Sequence, residues 1–233
     1  MIADRVAAVR ERIARAAARA GRRPEDVTLV AVSKTFPAEA VREAFAAGIH
    51  DFGENRVQEA EAKIAAGSDL RPQGLRWHLV GHLQSNKARR AAQLFDRIHS
   101  VDEIELGRRL DRIAAELGKA LPVLVEVDLA GEATKSGLPE ADLLPALEAL
   151  RALGGLRVEG LMVIPPYEED PERVRPFFVR LRQLRDRALA AGLLAGSELS
   201  MGMSHDFEVA IEEGATLVRV GTALFGGRSY GPP

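Results

Sequence analysis

The sequence predicts a (β/α)8 TIM barrel with an extra N-terminal helix, and three observations predict it. Short runs rich in β-branched residues alternate with longer amphipathic stretches. Eight such runs follow one another, at residues 27–33, 49–53, 76–81, 97–101, 122–129, 158–164, 198–203 and 217–221. The 233 residues then suit that fold at the compact end of its size range. Strands separated by helices need right-handed crossovers, which build a parallel sheet. An open, doubly wound sheet satisfies the same alternation and is the competing architecture.

The chain opens on "IADRVAAVRERIARAAARAG", where Ile2, Val6, Val9 and Ile13 recur at helical spacing and Gly21 is a natural stop. The first run, "VTLVAVS", is almost continuously apolar, as a strand covered on both faces must be. Helical patterns fill the gaps between runs near 37–47, 54–66, 85–94, 103–118, 139–152, 171–191 and 206–213. No linker rich in Pro, Gly or Ser divides the chain and no internal repeat is visible, so residues 1–233 are expected to form a single domain.

Hydrophobic residues make up 46% of the chain and charged residues 28%, which is enough for a sizeable core and argues against disorder. A formal net charge of −2 argues against a general nucleic-acid binder. The absence of cysteine excludes disulfides, thiolate metal sites and a cysteine nucleophile, and it fits a reducing cytosol. Residues 1–20 are rich in arginine and alanine, but Asp4 and Glu11 interrupt them and no apolar signal region follows. No run approaches the roughly 18 apolar residues that span a bilayer. A soluble, cytoplasmic protein with no membrane partner is expected.

In a parallel barrel the working face lies at the C-terminal ends of the strands. There the sequence places Lys34, then "ENR" at 54–56, then His78, His82, Gln84 and Asn86, and later the stretches "HSVD", "EVDLAGEATKSG", "GLMVIPP", "LSMGMSHD" and "VRVGTALFG". Lys34 closes an apolar strand, so dehydration disfavours its charged form and lowers its pKa from about 10.4. A neutral amine attacks an aldehyde and holds it as an imine. A lysine that reaches out to the rim and pairs with a carboxylate is the plainer alternative.

Two late loops bear on that choice. "SMGMSHDFEVAI" sets Gly202 and Ser204 before a helix that Asp206 can cap, and Gly221 and Thr222 follow the last strand. Backbone N–H groups at such turns cradle phosphate, and the loops after strands seven and eight are the usual phosphate site of a barrel. Each glycine can equally serve a tight turn alone. Arg219 lies within the last strand and points into the mouth, either to pair with Glu126 or Asp128 or to donate to an acceptor nitrogen of a bound ring.

An aldehyde-seeking lysine, a phosphate cradle and an arginine for a ring nitrogen together describe pyridoxal 5′-phosphate. The stretches "AVSKTFP", "FGENRVQE", "WHLVGHLQSNK", "KSG", "GLMVIPP", "LSMGMSHDFEVAIEEG" and "VRVGTALFG" closely resemble the pyridoxal phosphate homeostasis proteins, single-domain relatives of the alanine racemase N-terminal barrel. The resemblance runs from about residue 4 to 228 with no departure at the motif positions. It implies that Lys34 forms the internal imine, that Ser204, Gly221 and Thr222 meet the phosphate, and that Arg219 meets the pyridine nitrogen. It further puts Asn55 and Met162 along the ring and Ser200 at the phosphate.

His78 and His82 lie four apart but straddle Gly81, with no third ligand in a metalloprotease arrangement; hydrogen-bonded loop histidines are expected and no metal. His205 is expected to begin a helix rather than act as a base. Lys87, Arg89 and Arg90 read as a solvated helix face that can also attract an anionic partner, and Lys135 as a loop residue, solvated or holding a second anion.

Two functions compete. One is a carrier that holds the cofactor as a reversible imine, buffers the aldehyde and hands it to the apo-forms of pyridoxal-phosphate enzymes. The other is an amino-acid racemase. An arginine at the ring nitrogen leaves that nitrogen unprotonated and weakens the ring as an electron sink. Racemisation also needs a second base, which the alanine racemases take from a tyrosine on a second domain of a partner subunit. Tyr167 and Tyr230 stand on no such domain, so the carrier, a monomer with weak or absent catalysis, is expected. An isomerase or aldolase with a Lys34 imine needs no Arg219.

Overall fold

The computed structural model describes residues 1–131 and 136–227. Its strands are β1 (Thr28–Val32), β2 (Asp51–Glu54), β3 (Arg76–Leu79), β4 (Arg97–Val101), β5 (Leu121–Asp128), β6 (Leu138–Pro139), β7 (Leu156–Met162), β8 (Glu198–Met203) and β9 (Leu217–Val220). The helices are α1 (Ile2–Arg19), α2 (Ala38–Ala46), α3 (Val57–Ala66), α4 (Ala88–Leu94), α5 (Ile104–Glu116), α6 (Leu143–Arg151), α7 (Arg175–Ala190), α8 (Phe207–Glu212) and α9 (Thr222–Phe225). The strands pair in the order β1, β2, β3, β4, β5, β7, β8, β9, and β9 returns to β1, with Thr28 opposite Leu217 and Ala31 opposite Val220. All pairings are parallel. A closed cylinder of eight strands with helices outside is a (β/α)8 barrel, and the open sheet is thereby excluded.

The predicted elements are found with shifts of a few residues. The sixth predicted helix starts late because β6 extends the barrel wall against the end of β5, with Val127 opposite Leu138, and a 3-10 turn over Glu140–Asp142 follows. Likewise α3 begins at Val57, because Glu54 completes β2.

Burial follows the side-chain periods. In α1, Val6, Val9, Ile13, Ala16 and Ala17 are buried, and the chain leaves the helix through Gly21 at φ 65°. This helix packs against α2, α8 and α9. Arg12 and Arg19 reach Glu208 and Glu212 on α8 at 2.9 and 2.6 Å, and Arg12 lies 4.5 Å from the Phe207 ring centroid. Inside the cylinder, Val30, Leu124, Met162 and Leu217 form a small apolar layer. The larger core lies between strands and helices, where Phe52 and Trp77 are fully buried with ring centroids 5.8 Å apart.

Candidate functional site

At the C-terminal mouth of the barrel, a cavity of about 300 Å³ is lined by Val32, Lys34, Thr35, Phe36, Asn55, Val80, Ile164, Tyr167, Met203, Ser204, His205, Arg219, Gly221, Thr222 and Gly226. No carboxylate lines it among the described residues. Lys34 is partly buried and stands two residues beyond β1. Thr35, next to it, has φ 69°, the one positive φ outside glycine among the described residues. That conformation costs about 1–2 kcal/mol and must be held by its surroundings.

The holding groups are polar and enclosed. Glu59 accepts the Thr35 N–H. Lys63 Nζ donates to Ser33 O at 2.7 Å, to Glu54 Oε1 at 2.8 Å and to Glu59 Oε1 at 3.0 Å, while Ser33 Oγ donates to Glu54 Oε1 at 2.6 Å. Burial pushes the Glu54 carboxyl above its usual range, against the pull of Lys63 and Ser33. The backbone on both sides of Lys34 is thus tied to one buried ion-pair cluster.

Opposite Lys34 lies the turn joining β8 to α8 and the turn joining β9 to α9. Ser204 Oγ accepts N–H bonds from Gly221 at 3.1 Å and Ala223 at 3.2 Å. With both acceptor positions used, the hydroxyl proton is left to donate. Gly202 has φ 90°, and a Cβ there would come within 2.6 Å of Ala210 Cβ, so only glycine lets α8 approach the strand end. Asp206 does not cap α8 as expected. Its Oδ1 accepts from Met203 N at 2.6 Å and closes the preceding turn instead, and burial raises its carboxyl pKa.

Arg219 forms the floor between the two sides. Its guanidinium donates to Ser200 Oγ at 2.6 Å and to Val163 O at 2.9 Å. The predicted ion pair with Glu126 or Asp128 does not form. Asp128 instead receives the N–H groups of Ala130 and Gly131, each at 2.9 Å. Burial pushes Arg219 down to about 10, with Glu126 and Asp206 opposing through space, so the group stays protonated near neutrality. Glu126 is itself raised by burial and accepts Ser136 Oγ at 3.0 Å.

The profile described as alanine racemase, N-terminal domain, matches residues 5–229. A pyridoxal phosphate homeostasis protein of Pseudomonas aeruginosa is 49% identical over 232 residues, covering 100% of this chain and 98% of the relative. One from Aquifex aeolicus is 46% identical over 227 residues, covering 97% and 98%. The chain belongs to the pyridoxal phosphate homeostasis protein family. PipY of Synechococcus elongatus, solved with pyridoxal phosphate bound, is 46% identical with a TM-score of 0.86, over 97% of this chain and 100% of PipY. A Clostridium difficile alanine racemase shares the fold at 17% identity and a TM-score of 0.67, over 87% of this chain and 56% of the racemase.

Of the residues that the homeostasis-family motifs singled out, Lys34, Asn55, Ser204, Arg219, Gly221 and Thr222 meet in the one cavity. Met162 and Ser200 do not line it: Met162 belongs to the apolar layer inside the barrel, and Ser200 is fully buried beneath Arg219. The family resemblance implied both at the cofactor, whereas here their side chains lie within the cylinder. The sequence reading did not single out Phe36, which lies with its ring 5.1 Å from that of Phe225, or assign Tyr167 to the cavity, where it stands on the rim. His78 and His82 part company: His78 is buried against His99 and Asp51, and His82 bonds Asp102 at 2.8 Å. His205 lines the cavity and donates to Glu169 O at 2.8 Å. Arg89 pairs with Glu116 and Arg90 with Glu61, as a solvated face would. Lys135 and Tyr230 lie outside the described residues. Among the described residues no group of three His, Cys, Asp or Glu could hold a metal ion, and no helix is long and apolar enough to cross a membrane.

Proposed function

We propose that this chain binds pyridoxal 5′-phosphate in the mouth cavity and serves its intracellular supply, with little or no turnover. The observation that carries the reading is the meeting of Lys34, Arg219 and the Ser204–Gly221–Thr222 turns in one cavity of about 300 Å³, the lower end of the range for small-ligand sites. The two ends suit the group. The turns offer a hydroxyl and backbone N–H groups to a phosphate. Arg219 can only donate, which suits an unprotonated ring nitrogen. Lys34 is the amine that closes on the cofactor aldehyde with loss of water, Asn55 flanks the ring, and Met162 and Ser200 support the site from within. The relatives named for pyridoxal phosphate homeostasis, and PipY with the cofactor bound, support the reading.

Supply rather than catalysis is favoured by the ring partner and by the want of a fixed second base among the described residues. A charged arginine at the ring nitrogen keeps the ring a poor electron sink. Tyr167 is on the rim but 77% exposed, so solvent rather than the protein surrounds it, and it is not fixed above a substrate carbon. A cytoplasmic monomer that passes the cofactor to apo-enzymes completes the proposal.

An absorbance spectrum before and after borohydride, followed by peptide mapping, tests it. Reduction is expected to fix one cofactor on Lys34, and Lys34→Ala to lose both the yellow band and the fixation. Fixation elsewhere, or vigorous alanine racemisation, overturns the proposal. Racemisation that Tyr167→Phe abolishes would establish the racemase in its place.

A further inference from the structure

A buried chain of hydrogen bonds crosses the barrel from the cavity toward the N-terminal ends of the strands, and cofactor binding as proposed uses only Arg219 and, beneath it, Ser200. Arg219 Nη1 meets Ser200 Oγ at 2.6 Å, Ser200 Oγ meets His99 Nδ1 at 2.8 Å, and His99 Nε2 meets His78 Nδ1 at 2.9 Å. His78 Nε2 then meets Asp51 Oδ1 at 2.9 Å, and Arg76 grips Asp51 through two bonds of 2.7 Å. The members sit on β9, β8, β4, β3 and β2, so the chain spans the cylinder instead of following one strand. Ser200, His99, His78 and Asp51 are all buried.

Chemistry fixes the direction of this chain. Arg219 can only donate, so Ser200 Oγ accepts from it and, where both imidazoles are neutral, turns its own proton to His99 Nδ1. His99 must then carry its proton on Nε2 and donate to His78 Nδ1, and His78 donates from Nε2 to Asp51. His99 is held neutral: burial lowers its pKa far below the usual value, and the Arg219 and Arg97 charges push the same way. Asp51 is held ionised, its hydrogen bonds to His78 and Arg76 outweighing the larger opposing effect of burial. With both imidazoles neutral and Asp51 ionised, one order of protons satisfies every link.

Packed hydrocarbon would fill this volume at least as stably, since buried polar chains lose solvation. A long guanidinium that must face a ring, however, gains from being immobilised before the ligand arrives. We infer that Ser200, His99, His78 and Asp51 are positioning residues that hold Arg219 toward the cofactor ring nitrogen, with both imidazoles locked as Nε2–H tautomers. This rests on the proposed cofactor site.

The order of protons is read directly in the cofactor-free protein by 15N NMR of the histidine rings. His78 and His99 are expected to carry hydrogen on Nε2 only, and His99 to keep that form between about pH 5 and 8. Protonation of His99 at Nδ1, or its titration in that range, overturns the inference. The link to the cofactor is read by titrating pyridoxal phosphate into variants. Ser200→Ala and His99→Leu are expected to weaken binding about tenfold with Lys34 still fixed by borohydride, as loss of an anchor on a charged group would. His99→Gln offers an acceptor and a donor in the same order and is expected to stay within about twofold of the wild type. A purely space-filling histidine predicts the reverse, Leu tolerated as well as Gln, and wild-type affinity in His99→Leu refutes the role. If His99→Leu does not fold, Ser200→Ala decides. A wild-type protein that takes up no cofactor would sink the cavity reading, while the tautomers still judge the relay.

Discussion

Lys63→Met is expected to destabilise the protein by about 3–5 kcal/mol at pH 7, the cost of removing one partner from a buried ion pair. Lys63 is 8% exposed and Glu54 fully buried; after the change Glu54 keeps only Ser33, which donates at 2.6 Å. Methionine matches the lysine stem in length, so lost packing adds little. The sign with pH follows from Glu54. Its pKa is already raised above 4.5 by burial and rises further without Lys63. A group raised in the folded state contributes stability that is present below its unfolded value and lost as pH climbs through the folded one. The deficit of Lys63→Met is therefore largest at neutral pH and shrinks toward pH 4.5. Urea unfolding at a series of pH values measures it, and Lys63→Met with Glu54→Gln should recover much of the loss. Because the same cluster holds Ser33 and Thr35 on either side of Lys34, cofactor loading should fall in parallel. A loss under about 1 kcal/mol at pH 7, or one that ignores pH, would refute the reasoning.

Thr35→Gly removes the strain of a left-handed threonine and is expected to raise stability by about 0.5–1 kcal/mol after the added chain entropy, read as a small increase in Tm. Gly202→Ala meets both an unfavourable φ and the Ala210 methyl, and should cost more than about 2 kcal/mol in urea unfolding and weaken phosphate binding. Arg219→Ala is expected to lower cofactor affinity at least about tenfold and to shift the absorbance band while the fold persists, which a thermal melt run beside a cofactor titration checks.

The barrel was legible because its eight strands are nearly continuous apolar runs and each ends in polar residues at the same face. Lys34 and the Ser204 and Gly221 turns were legible for the same reason: the strand ends alone bring them together once the cylinder closes. The relay was not. His99 and Ser200 stand 101 residues apart and meet only because β4 and β8 both turn these side chains inward across the cylinder. No spacing within a single stretch records that. The placing of Met162 opposite Ser200 was hidden by the same gap in information, since that register is a property of the β7–β8 pairing. The short strand β6 and the four-residue α9 carry too few residues to show any period.

The seam between β1 and β9, buttressed by α1 against α8, makes the first and last parts of the chain mutual prerequisites. During synthesis on the ribosome Lys34 emerges early, yet the Gly221–Thr222 turn that lines the same cavity follows only after β9. The cavity proposed for the cofactor is therefore assembled only once the two ends of the barrel have met along that seam.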